Sequence, residues 1–337
     1  MALQRGEEPL VALDAMGGDH GPEPIVAGGV QAARAGVRVA LVGDRALLEP
    51  LLPAGVSIPI WDAGAAVAMG DDPVAGLRRR PDASIAVAME GHQTGRAQAV
   101  VSCGHTGATL VAAVTRLGVL QGVDRPAVAT WLPRADGGRL LLLDAGANVD
   151  GRPEQLVDFA RLGAAYAAAE GIASPRVGLL SNGEEDRKGN AQGRATLPLL
   201  RAVPGLNVVG NIEPTTAMAG GCDVLVTDGF VGNVLLKAAE GAMATVVSLL
   251  RQEMRRSPTA ALGRWLLAPA FARFRKRIAW DAHGGALLLG VQGVVIVGHG
   301  RANASAVAAA IRVAEGAVRS GVLDAVRQAV AAPPDVS

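Results

Sequence analysis

A repeating order of short apolar runs, polar glycine-rich loops and alanine-rich stretches constrains the fold of this chain more than any other feature. Strands that alternate with helices indicate a parallel sheet covered by helices on both faces. The run Leu140–Leu143 consists of four leucines, and such unbroken apolar runs are typical of strands buried on both sides. We therefore predict an α/β fold, a three-layer sandwich around a mostly parallel sheet. The predicted strands are Leu10–Leu13, Val37–Val42, Ala99–Ser102, Leu140–Leu143, Arg176–Leu180, Val208–Val209, Val224–Thr227 and Val294–Val297.

Composition excludes several classes of protein. Half of the 337 residues are hydrophobic and 19% are charged, which excludes an intrinsically disordered chain. The two cysteines, Cys103 and Cys222, are too few for a disulfide scaffold or, by themselves, a zinc site. The amino terminus lacks the apolar stretch of a signal peptide, and no uninterrupted apolar run approaches the roughly 20 residues that span a bilayer. We expect residues 1–337 to form a single, soluble, cytoplasmic domain.

The loops that follow the predicted strands are the candidate binding surface, because ligands of parallel sheets bind beyond the carboxyl ends of the strands. These loops hold much of the chain's Asp, Asn, His and Gly, and we expect them to share one edge of the sheet. The same residue types also satisfy turn geometry and cap helices. The loops span residues 14–21, 103–107, 144–150, 181–190, 228–233 and 298–305.

The composition of these loops suits an anionic ligand. Glycines that lead from a strand into a helix let backbone N–H groups approach an oxyanion, and Gly17–Gly18 and the loop around His105–Thr106 have this arrangement. No Gly-Lys-Ser or Gly-Lys-Thr and no helix-opening Gly-x-Gly-x-x-Gly occurs, so nucleotide binding has no direct support. Lys188 lies in a charged loop after a strand, where it could contact an anion or simply be solvated.

Other chemistries are less well supported. Cys103 lies at the end of a strand, where a cysteine is more often a small buried hydrophobe than a nucleophile. His20 with Asp14 and Asp19 could bind a metal, but local helix and turn capping by the carboxylates is the favoured interpretation. We predict no metal and no cofactor.

Residues 233–281 depart from the repeat and form a predicted basic amphipathic extension, a protruding hairpin of two helices with a break at Pro269. Between Arg251 and Trp280 there are eight basic residues and a single acidic one, Glu253. Apolar and basic side chains fall on opposite helical faces, a pattern that suits a membrane surface, an acidic protein partner or a dimer hairpin with solvated charges. The candidate contact residues are Arg264, Trp265, Phe271, Arg273, Phe274, Lys276 and Arg277.

Several segments, in order along the chain, resemble the bacterial phosphate acyltransferases, the acyl-carrier-protein:phosphate enzymes of phospholipid synthesis. Residues 11–21 read VALDAMGGDHG, residues 142–150 read LLDAGANVD, residues 185–190 read EDRKGN and residues 226–233 read VTDGFVGN. Shorter similarities at residues 124–126, 174–180, 284–286 and 299–300 extend the resemblance over about residues 10 to 320.

The resemblance implies an activity and a set of partners. Inorganic phosphate attacks the thioester of a fatty acyl group on acyl carrier protein, and the acyl phosphate supports phosphatidic acid and phospholipid synthesis. It also implies a fold similar to that of the isocitrate and isopropylmalate dehydrogenases and of phosphotransacetylase, a homodimer, no organic cofactor and loose contact with the inner face of the membrane. We expect no nucleic-acid partner.

The resemblance also assigns residues. Lys188 and Asn233 occupy positions that look essential in relatives and are the candidate catalytic residues. Phosphate is itself a nucleophile, so the enzyme needs no Ser or Cys intermediate but must stabilise the oxyanion on the thioester carbon. The candidate phosphate- and substrate-binding residues are Asp14, Gly17, Gly18, His105, Thr106, Asp144, Asn148, Asn190, Asp228 and His299.

The chain departs from the family pattern at two loops, and three alternatives stay open. Relatives usually have Ala and Asn where this chain has Cys103 and His105, and two serines where it has Arg301–Ala302. An acyl-coenzyme A donor is one alternative, because the coenzyme shares the carrier's phosphopantetheine arm. A decarboxylating dehydrogenase of the same fold would need a proton-relaying tyrosine, whereas the one tyrosine, Tyr166, is predicted to be a core residue. The third alternative is a non-catalytic membrane-associated scaffold.

Overall fold

The computed structural model describes residues 8–254, 263, 266–278 and 284–331. The strands are β1 (Leu10–Asp14), β2 (Arg38–Gly43), β3 (Ile60–Asp62), β4 (Ala99–Ser102), β5 (Ala127–Pro133), β6 (Arg139–Leu143), β7 (Arg176–Leu180), β8 (Asn207–Ile212), β9 (Val224–Val226), β10 (Ala286–Leu289) and β11 (Val295–Val297). The helices are α1 (Pro22–Arg34), α2 (Arg45–Leu48), α3 (Pro73–Arg79), α4 (Ser84–Gln93), α5 (Thr106–Arg116), α6 (Pro153–Ala169), α7 (Ala191–Arg201), α8 (Pro214–Ala219), α9 (Gly229–Glu253), α10 (Ala268–Ile278), α11 (Ala304–Arg319) and α12 (Val322–Ala331).

All eight predicted strands are present, which confirms the α/β fold. Within the described residues the strands form one sheet of eleven, in the order β3-β2-β1-β4-β11-β10-β5-β6-β9-β7-β8. Three strands were not predicted: β3, β5 and β10. β3 is only three residues long. β5 and β10 are the strands whose neighbours on both sides are antiparallel, an arrangement that the strand–loop–helix repeat does not reveal.

The parallel strands run in two opposed sets. We call β1, β2, β3, β4 and β11 the first set, since all of them pair in parallel, and β6, β7, β8 and β9 the second set. β10 is antiparallel to β11, β5 to β10, and β6 to β5. Three reversals make the second set antiparallel to the first. The expectation that all six loops share one edge of the sheet is therefore wrong.

β5 brings the carboxyl edges of the two sets together. Its first three residues, Ala127–Ala129, pair with β10, and its last four, Thr130–Pro133, pair with β6. Val297, the last residue of β11, pairs with Ala286 of β10, and the next residue of β10, Leu287, pairs with Ala129 of β5. The first set therefore ends level with the middle of β5. The second set ends at the same level, because Leu142 of β6 pairs with Thr130. The loops that follow both sets therefore approach each other across this strand.

Helices cover both faces of the sheet and form two hydrophobic layers, which confirms the three-layer sandwich. On one face, buried side chains of α1, α6, α7, α11 and α12 pack against the sheet, with Phe159 of α6 and Ile311 of α11 fully enclosed. On the other face, α4, α5 and α8 form the layer, with Met89 of α4 completely buried. Leu235 and Leu236 of α9 pack on the edge of this second layer.

The predicted extension contains two helices in the described residues, and their bounds differ from the prediction. α9 begins at Gly229 rather than Asn233, because the Asp228 side chain caps it by accepting a hydrogen bond from Val231 N at 2.8 Å. Pro269 lies in the first turn of α10. The predicted start of the second helix and the joint of the hairpin lie outside the described residues, which do not include residues 255–262, 264–265 and 279–283.

α9 is long and apolar enough to cross a membrane by length and composition, the one such helix in the described residues. Its most apolar window has a mean hydropathy of 1.3 and none of it is buried. The α9 sequence is not an uninterrupted apolar run, because it contains Lys237 and Glu240.

Candidate active site

A cleft of about 910 Å³ opens where the two carboxyl edges meet. Its floor is β5, through Val128, Thr130 and Trp131. One wall comes from the loops that follow β1, β4 and β11, and the facing wall comes from the loop after β6 and the start of α9. The predicted site residues that line the cleft are Thr106, Asn233 and His299; Gly104, Gly146 and Arg301 line it as well.

Asp14 lies beneath the wall of the cleft and does not line it. Its side chain is only 2% exposed, and its Oδ2 accepts a hydrogen bond from Ser102 Oγ at 2.7 Å. Ser102 Oγ in turn accepts from Gly104 N at 3.2 Å and from Thr109 Oγ1 at 3.3 Å. Burial raises the pKa of Asp14, while these and neighbouring hydrogen bonds oppose the increase. The carboxylate thus holds the loop after β4 from below.

Gly17 and Gly18 also lie behind the lining of the cleft. A Cβ at Gly17 would meet the backbone of Gly104 at 2.8 Å, so the loops after β1 and β4 pack backbone to backbone at this point. Asp19, two residues further, does line the cleft, and its N–H donates to Gly300 O at 2.7 Å. This bond ties the loop after β1 to the loop after β11.

Asp144 and Asn148 stabilise the facing loop internally. Asp144 is fully buried, and its two oxygens accept hydrogen bonds from the backbone N–H groups of Val128, Gly146, Ala147 and Asn148 at 2.7–3.1 Å. Asn148 Nδ2 donates to Asp144 Oδ2 at 2.9 Å and to Pro126 O at 2.8 Å. Burial raises the pKa of Asp144, against which the donated hydrogen bonds act. The carboxylate fixes the position of Gly146 in the cleft wall.

The first turn of α9 packs directly on this loop and places Asn233. Gly229 N donates to Asn148 O at 2.7 Å, and a Cβ on Gly232 would collide with the carbonyl oxygen of Asp144. Asn233 follows at once, half-buried, and its side chain lies within 4 Å of the position where a Gly146 Cβ would be. Two glycines therefore allow the contact that brings Asn233 into the cleft.

Three other predicted site residues cap helices. Asn190 Oδ1 accepts from Gly193 N at 2.7 Å at the start of α7, and Asp228 caps α9 in the same way. His105 Nδ1 accepts from Gly107 N at 3.1 Å and from Ala108 N at 3.4 Å at the start of α5. The capping interpretation is thus confirmed for Asp228, and Asn190 and His105 cap helices as well.

His299 and Arg301 line the cleft on the loop after β11. His299 Nδ1 accepts a hydrogen bond from Arg301 N at 3.2 Å, so the neutral ring carries its proton on Nε2. Arg301 Nε lies 3.8 Å from Asp19 Oδ2 and its side chain is mostly exposed. Arg301 therefore adds a positive charge to the lining of the cleft.

Lys188 is not among the residues that line the cleft. It lies half-buried in the loop after β7, with its N–H donating to Glu185 O at 2.9 Å and its aliphatic stem over Gly183. Asp186 in the same loop forms a two-point ion pair with Arg201 at 2.6–2.7 Å. The structure thus places Asn233 in the cleft and Lys188 in a neighbouring loop of the second set.

The candidate contact residues of the extension are only partly described. Phe271 is half-buried, and Arg273 and Phe274 are exposed on α10. For Lys276 and Arg277 the structure describes the backbone alone, and Arg264 and Trp265 lie outside the described residues.

Two competing chemistries lose support. Burial raises the pKa of the Cys103 thiol to about 12, and a nucleophilic cysteine needs the thiolate. Tyr166 is a core residue, as predicted: it is buried, accepts a hydrogen bond from Trp131 Nε1 at 3.1 Å, and burial raises its pKa to about 12. No group of three or more His, Cys, Asp or Glu side chains suited to a metal ion occurs in the described residues.

Lys237 of α9, which the sequence pattern did not single out, also lines the cleft, as does Arg251 at the start of the predicted basic segment. The signal for Lys237 is its spacing of four residues from Asn233, which places both on one face of a helix. An isolated lysine in an alanine-rich helix is ordinarily solvated, so the spacing alone does not predict a site residue. It becomes informative once the structure places α9 beside the cleft.

Comparisons with known proteins identify the relatives of this chain. Residues 10–325 match the model of a family described as "Fatty acid synthesis protein". The chain is 47% identical to a phosphate acyltransferase of Thermus thermophilus over 96% of this chain and 98% of the relative. It is 45% identical to a phosphate acyltransferase of a Synechococcus strain over 93% of this chain and 87% of the relative.

Solved structures show the same fold at low sequence identity. A phosphotransacetylase from Streptococcus pyogenes aligns with a TM-score of 0.62 and 15% identity over 93% of this chain and 95% of that structure. A 4-hydroxythreonine-4-phosphate dehydrogenase from Klebsiella pneumoniae aligns with a TM-score of 0.56 and 13% identity over 93% of this chain and 100% of that structure.

Proposed function

The chain belongs to the phosphate acyltransferase family of enzymes, and on that basis we propose that it transfers a fatty acyl group from acyl carrier protein to inorganic phosphate. The acyl phosphate then supports phosphatidic acid and phospholipid synthesis. The observation that carries the proposal is the cleft itself, in which Asn233 faces a second wall formed by the loops after β4 and β11.

The reaction needs positioning and electrostatic stabilisation more than acid–base chemistry. A phosphate oxygen attacks the thioester carbon, the new C–O bond forms, and the C–S bond breaks after a tetrahedral oxyanion. Thiols are weak acids, with a pKa of about 8.5 for the cysteine side chain, so the leaving sulfur departs as a thiolate without a strong general acid. Donors held in fixed positions lower the barrier by stabilising the oxyanion.

Asn233 is the donor that the structure supports best for this task. Its backbone is fixed by the packing of Gly229 and Gly232 on the loop after β6, and its side chain borders the cleft. In the proposal its Nδ2 donates to the oxyanion or to phosphate. Thr106 and His299 from the facing wall complete the anion site.

Lys188 is proposed as a second catalytic residue, supported by the match of residues 185–190 to the family pattern. Asp14, Gly17, Gly18, Asp144, Asn148, Asn190, Asp228 and His105 support the substrate site by holding the cleft loops and helix starts in place. For these residues the hydrogen bonds and close packing described above are the support.

The partners follow from exposed surfaces. We assign the apolar outer side of α9 to a second copy of the chain, because Phe230, Val234, Val246 and Leu249 are each more than half exposed and such a patch marks an interaction site. The basic α10 extension is assigned to the inner face of the membrane or to acidic acyl carrier protein. In the proposal the protein is cytoplasmic and makes loose contact with the membrane.

The deciding experiment detects acyl phosphate by mass spectrometry after the protein is mixed with phosphate and a long-chain acyl carrier protein. Product is expected with the wild type and a loss of at least a hundredfold in rate with Asn233→Ala, because an oxyanion donor contributes roughly 100- to 1000-fold. A parallel reaction with acyl-coenzyme A compares the donors. If only the coenzyme thioester reacts, the carrier assignment is wrong; if neither does, or if Lys188→Ala and Asn233→Ala leave the rate unchanged, the catalytic proposal fails.

A further inference from the structure

Lys237 lies one turn beyond Asn233 on the cleft side of α9. Both residues line the cleft, and positions four apart in a helix share a face. The rise along the axis between them is about 6 Å. An anion that accepts a hydrogen bond from Asn233 is therefore within reach of the flexible lysine side chain.

Lys237 is available for such an anion. The side chain is exposed and has no ion pair within 4 Å with any carboxylate of the described residues. Glu240, three residues further, also lines the cleft, but it does not approach the lysine to that distance. The ammonium group is thus held near the site by its helix without being neutralised by a fixed partner.

The other cations of the cleft are placed differently. Arg301 lies 3.8 Å from Asp19 Oδ2 at the mouth. Arg251 is on the same face of α9, but fourteen residues after Lys237, or about 21 Å further along the axis. Lys237 is therefore the cation of the described cleft that lies closest along α9 to Asn233.

The character of the helix face divides the cleft into a polar and an apolar end. Beyond Lys237 and Glu240 the lining of α9 continues with Met243, Ala244 and Val247. An acyl chain is stabilised by apolar surface, whereas phosphate requires charge and N–H donors. The phosphate belongs at the Asn233 end and the chain extends along α9.

We infer that Lys237 binds the phosphate substrate in the cleft, together with Asn233. The inference rests on the proposed function and adds a residue to its site. The ammonium group pairs with phosphate oxygens before the attack and stays beside the charge that passes to the thioester oxygen.

The test measures steady-state kinetics of acyl phosphate formation with varied phosphate and varied acyl carrier protein thioester. Lys237→Gln removes the charge and is expected to raise the KM for phosphate by roughly 10- to 100-fold, as expected for a lost charge-assisted hydrogen bond. The KM for the acyl donor changes less than threefold, and Lys237→Arg recovers most of the phosphate affinity. Arg251→Gln, the matched loss of charge at the far end of the helix, leaves the KM for phosphate within about twofold.

The outcomes separate this inference from the proposed function. If the wild type forms acyl phosphate but Lys237→Gln keeps a normal KM for phosphate, the inference is overturned while the function stands. An equal rise with Arg251→Gln would also overturn it, because a general field effect would then explain the change. If the wild type forms no acyl phosphate, the proposed function is wrong. The role of Lys237 is then tested by measuring the binding of inorganic phosphate directly by calorimetry. Equal affinities of wild type and Lys237→Gln for phosphate would overturn the inference.

Discussion

At the scale of single residues, the two buried aspartates show how the cleft is kept in shape. Asp14 is the last residue of β1 and Asp144 directly follows β6; Asp14 Oδ2 accepts from Ser102 Oγ, and the Asp144 oxygens accept from the loop after β6. Burying a carboxylate is costly unless it is hydrogen-bonded; Asp144 is bonded at both oxygens, and Asp14 is bonded at Oδ2 but not at Oδ1. Each therefore fixes the loop that lies above it, one on each side of the site.

Removing the hydroxyl that partners Asp14 tests this interpretation. Ser102→Ala leaves Oδ2 of the carboxylate without its 2.7 Å donor, and unsatisfied buried groups cost about 1–3 kcal/mol of folding free energy. Denaturant unfolding measures the loss. Ser305→Ala, which removes a hydroxyl at an exposed position of α11, is the control; a loss as large as that of Ser102→Ala would contradict the assignment.

His92 makes the stability of the protein depend on pH. Its Nδ1 lies 3.0 Å from Ala97 O and its Nε2 accepts from Val294 N at 3.0 Å, so the folded ring is neutral with the proton on Nδ1. Burial lowers the pKa of His92 below its usual value of 6.5. As pH falls below about 6.5, the unfolded chain binds a proton that the folded chain does not, and stability decreases.

The prediction is a falling Tm between pH 7 and pH 5.5 that flattens in His92→Gln, measured by calorimetry. His20→Gln, a change at an exposed histidine, is expected to keep the wild-type slope. A slope unchanged in His92→Gln would assign the pH dependence to other groups.

At the scale of secondary structure, the start of α9 is the element on which the site depends most. Gly232→Ala would place a Cβ against the carbonyl oxygen of Asp144. The backbone of the loop after β6 cannot move away without breaking the hydrogen bonds that its N–H groups donate to the Asp144 side chain. We expect the substitution to destabilise the fold by about 1–3 kcal/mol and to reduce activity because Asn233 moves. Unfolding curves and acyl phosphate assays measure the two effects.

The same helix provides a matched control at Gly241, where a Cβ would meet nothing within 4 Å. Gly241→Ala is expected to stabilise the helix by about 0.5–1 kcal/mol, with activity unchanged. If both substitutions behave alike, the close packing at the first turn is not what positions Asn233.

Helix α10 carries the prediction for membrane or carrier contact. Charge reversal at Arg273, Lys276 and Arg277 is expected to lower the affinity for anionic liposomes, measured by co-sedimentation, or for acyl carrier protein by at least tenfold. The reason is that each basic side chain near an anionic surface contributes about 1 kcal/mol to binding. Reversal of the exposed run Arg78–Arg80 is the control for net charge. If the control weakens binding equally, or the α10 variant binds normally, the surface assignment is wrong.

At the scale of the whole molecule, the exposed outer side of α9 predicts a homodimer. Sedimentation equilibrium is expected to give twice the chain mass of 34.1 kDa, and Val246→Glu with Leu249→Lys to give a monomer, because charges replace apolar contacts in an interface. The matched control is Val74→Glu, which charges an exposed valine outside this surface. A monomeric wild type would leave the apolar side of α9 to the membrane instead.

The sequence predicts the layers of this molecule better than its site. Apolar runs such as Leu140–Leu143 mark buried strands regardless of direction, so the strands were found but their two opposed sets were not. Direction depends on β5 and β10, whose antiparallel pairing has no signal in hydrophobic periodicity. His105 and Asn190 cap helices, and the sequence does not distinguish such capping residues from ligand-binding ones because both are of the same residue types. Lys237 is recognised as a candidate only from the structure, in which α9 flanks the cleft.

The position of β11 has a consequence for how the newly made chain folds. Among the described residues this strand is the last in chain order, yet it lies between β4 and β10 and is followed by the loop with His299. During synthesis, β1 and β4 emerge from the ribosome long before β11, which pairs with the free edge of β4. The early segment therefore waits with an unpaired edge while the rest is translated, and chaperone capture at that stage would protect it from aggregation.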